Sequence, residues 1–121
     1  MKKRIRLLRR ADFQRVLAGR PLFTGRTIVA FAVADHRPAG RPPGVSVRVG
    51  VAAARRIVGA VARNRAKRRV REAARVSLPA GLGGRPMGTP YDVVLIARPE
   101  ALTASLEQLT AEARRVWERL L

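Results

Sequence analysis

Apolar positions along this chain fall into blocks of two different periods, and stretches rich in Pro and Gly separate the blocks. From Arg10 to Ala18, Phe13, Val16 and Leu17 have the i, i+3, i+4 spacing of a helix with one buried side, and Gly19 follows as a stop. Residues 22–34 turn to strand character, with Thr27-Ile28-Val29-Ala30-Phe31-Ala32-Val33 nearly continuous in β-formers. Residues 45–54 predict the next strand: Val45, Val47, Val49 and Val51 share one face, Arg48 and Gly50 the other. One loop joins these strands, which suggests an antiparallel hairpin. Helical period returns between Gly59 and Val76, where Ala62, Ala66, Val70 and Ala73 form a narrow seam. Tyr91 to Arg98 is a further apolar strand, stopped by Pro99. Leu102, Leu106, Leu109, Ala113, Val116 and Leu120 then repeat as one helix face, and Ser105 with Gln108 has capping-box spacing. Glu107, Glu112 and Glu118 read as the solvent side of that helix.

The order is helix, two or three strands, helix, strand, helix. It predicts one α+β domain over residues 1–121, a two-layer sandwich of helices on a sheet. Residues 1–9 read as a basic N-terminal arm, and residues 36–45 and 77–90 as flexible loops dense in Pro and Gly.

Charge changes the picture from a generic domain to one with a partner. The 121 residues hold 26 Lys and Arg against 8 Asp and Glu, a net charge of +18. All the basic residues but Lys2, Lys3 and Lys67 are arginine, whose planar fork pairs with phosphate and stacks on bases. The densest run lies on the predicted helix with the alanine/valine seam. At about 100° per residue, Asn64, Lys67, Arg68, Arg71 and Arg75 share an arc away from the seam, with Arg65 and Arg69 further round. Glu72 is the single carboxylate between Asp35 and Asp92. Like charges at i, i+4 repel, and a bound polyanion would turn that repulsion into attraction.

Other chemistry is poorly supplied. There is no cysteine, which excludes disulfides and thiolate metal sites. No apolar run approaches the ~18 residues of a membrane span, and no apolar signal core follows the basic start, so a cytoplasmic protein without a membrane partner is expected. His36 is the sole histidine and the acids are scattered. No catalytic residue and no metal ligand are therefore assigned, because nucleophilic or metal-assisted hydrolysis needs clustered groups.

Arg48-Val49-Gly50-Val51, Ala54-Arg55-Arg56, and Ala60-Val61-Ala62-Arg63-Asn64-Arg65-Ala66-Lys67-Arg68-Arg69-Val70-Arg71-Glu72 together resemble the protein subunit of bacterial ribonuclease P. Its signature is the Arg-Asn-Arg core with the following Lys-Arg and Arg-Glu. Ala11 to Val16 resembles that family's first helix, and Tyr91 to Arg98 its last strand. The resemblance implies an α-β-β-β-α-β-α order, a ribosomal-protein-like domain with a left-handed βαβ crossover against the usual right-handed rule. It implies an auxiliary, non-catalytic subunit of an endoribonuclease. The partner RNA would hold the active site and the Mg2+ it requires, and would cut the 5′ leader from precursor tRNA.

By position, the family's RNA-binding residues fall on Arg55, Arg56, Arg63, Asn64, Arg65, Lys67, Arg68 and Arg71. Its leader cleft falls on Phe13, Leu17, Phe31 and Arg48, a mixture of rings and cations suited to single strands. The partners implied are the catalytic RNA and precursor tRNA, with no obligate protein partner. Leu17 stands where the family usually has a second aromatic, Ala52 and Ala54 replace common hydroxyl residues, and Val58-Gly59 replaces a frequent Gly-Asn. The alternative reading is another basic RNA-binding protein of ribosomal type, since phosphate contacts position a protein without specifying its target. A self-sufficient nuclease is opposed by the missing acid and histidine clusters.

Overall fold

The computed structural model describes residues 5–7, 10–34, 47–78 and 91–120. In chain order the elements are β1 (Ile5–Leu7), α1 (Arg10–Leu17), β2 (Pro21–Thr24), β3 (Ile28–Ala34), β4 (Val47–Ala53), α2 (Ala60–Ser77), β5 (Tyr91–Ala97), a 3-10 turn (Pro99–Leu102) and α3 (Leu106–Leu120). The strands form a five-stranded sheet in the order β1-β4-β5-β3-β2.

β5 takes the centre because it is apolar on both faces: Val93, Val94 and Leu95 are all buried. Side chains alternate across it. Val93, Leu95 and Ala97 pack with Val47, Val49 and Val51 of β4 against α2 and α3, while Val94 and Ile96 meet α1 on the other side. The two long helices and the sheet make the expected two-layer sandwich, and short α1 lies on the sheet's second face. β4 runs parallel to β5 and reaches it through α2, the expected β–α–β unit.

Three expectations change. β3 and β4 do not form a hairpin; β5 sits between them, antiparallel to β3 and parallel to β4. A strand with apolar residues on both sides gains most from neighbours on both edges, and β5 claims both. The single strand expected over residues 22–34 is a hairpin, β2 antiparallel to β3, with its turn at Gly25 to Thr27. That turn is held by Glu112, which is not a solvent-side residue. Its carboxylate accepts the backbone N–H of Arg26 (3.2 Å), Thr27 (3.1 Å) and Ile28 (3.2 Å). Sequence periodicity places Glu112 outside the apolar stripe but cannot show that a turn far away in the chain needs an acceptor.

The basic arm contributes β1, which pairs in parallel with β4 from Ile5 opposite Val47 to Leu7 opposite Val49. Residues 36–45 and 79–90 of the expected loops lie outside the described residues; Ser77 ends α2 and Leu78 follows it. The final helical pattern is interrupted by the 3-10 turn before the capping box forms as expected. Ser105 N–H donates to Gln108 Oε1 (3.0 Å) and Gln108 N–H to Ser105 Oγ (3.1 Å).

α2 and α3 are fixed to each other at their far ends. Trp117 is fully buried, its Nε1–H donates to Ser77 Oγ at 3.0 Å, and Ser77 in turn donates to the Ala73 carbonyl at 2.7 Å. Trp117→Phe should keep most of the packing and lose that hydrogen bond, lowering stability by about 1–2 kcal/mol. Urea unfolding followed by circular dichroism, which does not depend on the tryptophan, measures it; an unchanged midpoint would make the hydrogen bond dispensable.

Candidate RNA interface

α2 forms where expected and is seated by the expected seam. Ala66, Val70 and Ala73 are fully buried and Ala62 half-buried, joined by Ala74 and Ser77. Gly59 precedes the helix with φ +93°, a conformation that glycine adopts without steric cost. The Val58-Gly59 order therefore puts glycine at the one described position that requires it.

On the outer side Arg55, Arg56, Asn64, Arg65, Arg68 and Arg71 are exposed and Lys67 is half-buried. Val61, Asn64, Lys67, Arg68 and Arg71 line a groove of about 440 Å³ on the helix. The last four share the arc that helical spacing places away from the seam.

Arg63 departs from that set. Its guanidinium turns inward, donating through Nη1 to the carbonyls of Ala54 (3.0 Å) and Ile57 (3.1 Å) and through Nη2 to that of Ala53 (3.1 Å). It braces the turn from β4 into α2, and so holds the segment that displays Arg55 and Arg56. Backbone carbonyls in an irregular turn need donors, and the first arginine of Arg-Asn-Arg supplies one to each of three of them. Arg69 is likewise committed, donating from Nη2 to the Ala104 carbonyl and tying α2 to the start of α3. Arg75 pairs with Glu72 one turn earlier (Nε to Oε1 3.2 Å), and that hydrogen bond holds the Glu72 carboxyl below its usual range.

The second face of the sheet carries a different surface. Val16 of α1 and Val94 of β5 are buried at its centre, ringed by Phe13, Leu17, Phe31, Val33 and Ile96. Phe13 lies directly on Gly50: a Cβ at that glycine would stand 2.4 Å from the ring's Cζ. Phe13, Leu17 and Phe31 are half-buried, each part of this small core and each still open to solvent.

Beside the rings, Asp92 is fully buried between two arginines. It accepts Nε (2.8 Å) and Nη2 (2.8 Å) of Arg48 as a fork and also a hydrogen bond from Arg15 Nη2. Arg48 and Asp92 are direct neighbours in the β4–β5 register. One carboxylate thus orients two guanidiniums. All four cleft residues expected from the sequence, Phe13, Leu17, Phe31 and Arg48, are brought together here. Arg15 and Asp92 were not foreseen. An aspartate inside an otherwise apolar central strand was the available signal, because a buried carboxylate needs charged partners.

A helix that displays arginines on one side of a sheet, with half-open rings beside pinned guanidiniums on the other, defines an RNA-binding α+β domain. The family model described as Ribonuclease P matches residues 1–121. A ribonuclease P protein component of Symbiobacterium thermophilum is 39% identical over 122 residues, covering 98% of this chain and 93% of the relative. That of Ruegeria pomeroyi is 39% identical over 116 residues, covering 94% and 84%. Among solved structures, the RNase P protein of Thermotoga maritima superposes with a TM-score of 0.65 at 22% identity, covering 94% of this chain and 96% of that one. That of Staphylococcus aureus gives 0.63 at 24% identity, covering 93% and 92%. The chain belongs to the ribonuclease P protein family. It is the protein component of a ribonucleoprotein endoribonuclease and acts with an RNA in tRNA 5′ processing.

Proposed function

We propose that this chain is the non-catalytic subunit, and that the RNA partner holds the active site and the Mg2+ it uses. The α2 surface, through Arg55, Arg56, Asn64, Arg65, Lys67, Arg68 and Arg71, binds the catalytic RNA. The cleft of Phe13, Leu17, Phe31 and Arg48 takes the single-stranded 5′ leader of precursor tRNA. The observation that carries this reading is the separation of the two surfaces: a basic helix face and a ring-and-cation cleft on opposite sides of one sheet. Polyanions tolerate the first without sequence preference, and unstacked bases need the second. The only histidine in the sequence and the absence of cysteine argue against a self-sufficient nuclease. A site of action in the cytoplasm, where tRNA precursors are made, fits the same reading.

Positive charge placed between two polyanions raises their mutual affinity and lowers the Mg2+ concentration needed to screen their repulsion. The test is cleavage of a precursor tRNA at low Mg2+ with this protein alone, the partner RNA alone and both together. Activity with a correct mature 5′ end only in the combination supports the proposal. Cleavage by the protein alone would place the active site in the chain and end it.

Phe13→Ala should weaken binding of leader-bearing substrate to the assembled particle about fivefold or more, the lower end for loss of one base stack, and leave mature tRNA binding unchanged. Equal losses for both ligands would make Phe13 a core residue only.

A further inference from the structure

α2 has a second groove, on the side away from Lys67 and Arg71. It holds about 640 Å³ and lies between α2 and the start of α3, with Arg65, Arg68, Arg69 and Glu72 on one wall and Ala104 and Leu106 on the other. Its electrostatics are one-sided. Glu72 is the acid in the wall, and Arg75 already neutralises it from outside the groove. Arg65 and Arg68 are exposed, and neither forms a hydrogen bond or ion pair with another described residue. Arg69 is fastened to the Ala104 carbonyl, yet its Nε is buried and meets no acceptor among the described residues. An apolar side chain sits amid these cations: Leu106 opens α3 with 46% of its surface exposed.

Free guanidiniums facing an open leucine do not suit a peptide helix, which would bury the arginines unpaired, nor a duplex backbone, which has nothing to place against the leucine. A single nucleotide turned out of the RNA satisfies both walls. Its phosphate takes the forks of Arg65 and Arg68, its sugar edge offers oxygen acceptors toward Arg69, and its base face covers Leu106 and Ala104. The geometry points to this groove as a binding site for one unpaired nucleotide of the RNA partner, extending the interface from α2 onto α3. The inference rests on the proposal that α2 binds the catalytic RNA.

Two variants at one position test it in the full chain with the full-length partner RNA. Leu106→Ala should weaken binding about three- to tenfold, as expected for losing part of a leucine's burial. The slope of log affinity against log salt should stay unchanged, because an apolar contact releases no counterions. The chain has no cysteine, so Leu106→Cys carries a photoactivatable group at one defined place. Its crosslink should map to an unpaired nucleotide of the RNA. Wild-type affinity for Leu106→Ala, or a crosslink confined to duplex nucleotides, overturns the inference. Measured alongside, Arg68→Ala separates the two levels: if it weakens binding and flattens the salt slope while Leu106→Ala does neither, the groove site fails and the helix interface stands. If neither change has an effect, both fail.

Discussion

Asp92→Ala should lower the stability of this domain by about 2–4 kcal/mol, read as a fall in the urea midpoint at constant slope. Asp92 is fully buried, while its partners Arg15 and Arg48 keep 31% and 26% of their side chains exposed, so the penalty falls below that of a wholly buried pair. Removing the carboxylate takes a buried acceptor from two guanidiniums, one on α1 and one on β4, in a chain already at +18. The damage reaches function through geometry. Arg48 is aimed by a two-point fork at Asp92 beside Phe13 and Phe31, and an Arg48 without that fork has more rotamers to lose before it can serve the leader contact proposed for it. Leader-bearing substrate should therefore bind more weakly to the variant even at temperatures where it is folded. A destabilisation under about 1 kcal/mol would mean that solvent already shares the work of the carboxylate.

The double change Arg65→Ala with Arg68→Ala should cut affinity for the RNA partner by at least about tenfold at moderate salt. It should also flatten the log–log salt dependence by roughly 1.4–1.8, which is two lost phosphate contacts. Both side chains are exposed and unpaired among the described residues, so the loss should come without loss of stability; less repulsion along α2 leaves the free protein as stable or slightly more so. Arg63 is the contrast. Its donors serve Ala53, Ala54 and Ile57, and truncating it would remove three hydrogen bonds from the turn between β4 and α2, although Ala54 keeps the Ile57 N–H. Filter binding across a salt series, with a urea curve for each variant, separates the two behaviours. An unchanged slope in the double variant would remove Arg65 and Arg68 from the interface.

The helix that matters most was legible because two independent patterns agree on it: an alanine/valine seam at helical spacing, and a dense run of cations on the remaining surface. The same local logic found the capping box at Ser105 and Gln108, since its partners lie three residues apart. Strand pairing was read less well. The loop between β3 and β4 suggested a hairpin, but adjacency in the chain competes with the demand of β5 for cover on both edges, and burial of apolar surface outweighs adjacency. The grouping of Phe13 with Phe31 follows from family resemblance rather than periodicity, which gives Phe13 to a helix and Phe31 to a strand without saying that they meet.

By itself the sequence determined the α+β class, the position of the basic helix, the arc its arginines occupy and the polyanion they require. Those properties follow from local period and net charge, which folding does not alter. Tertiary structure alone decided which charges remain available. Arg63, Arg69 and Arg48 look like Arg65 and Arg68 in sequence, yet the first three are bound to carbonyls or to Asp92 by elements 6 to 44 residues away. A guanidinium's role depends on whether an acceptor reaches it, and long-range packing places the acceptors.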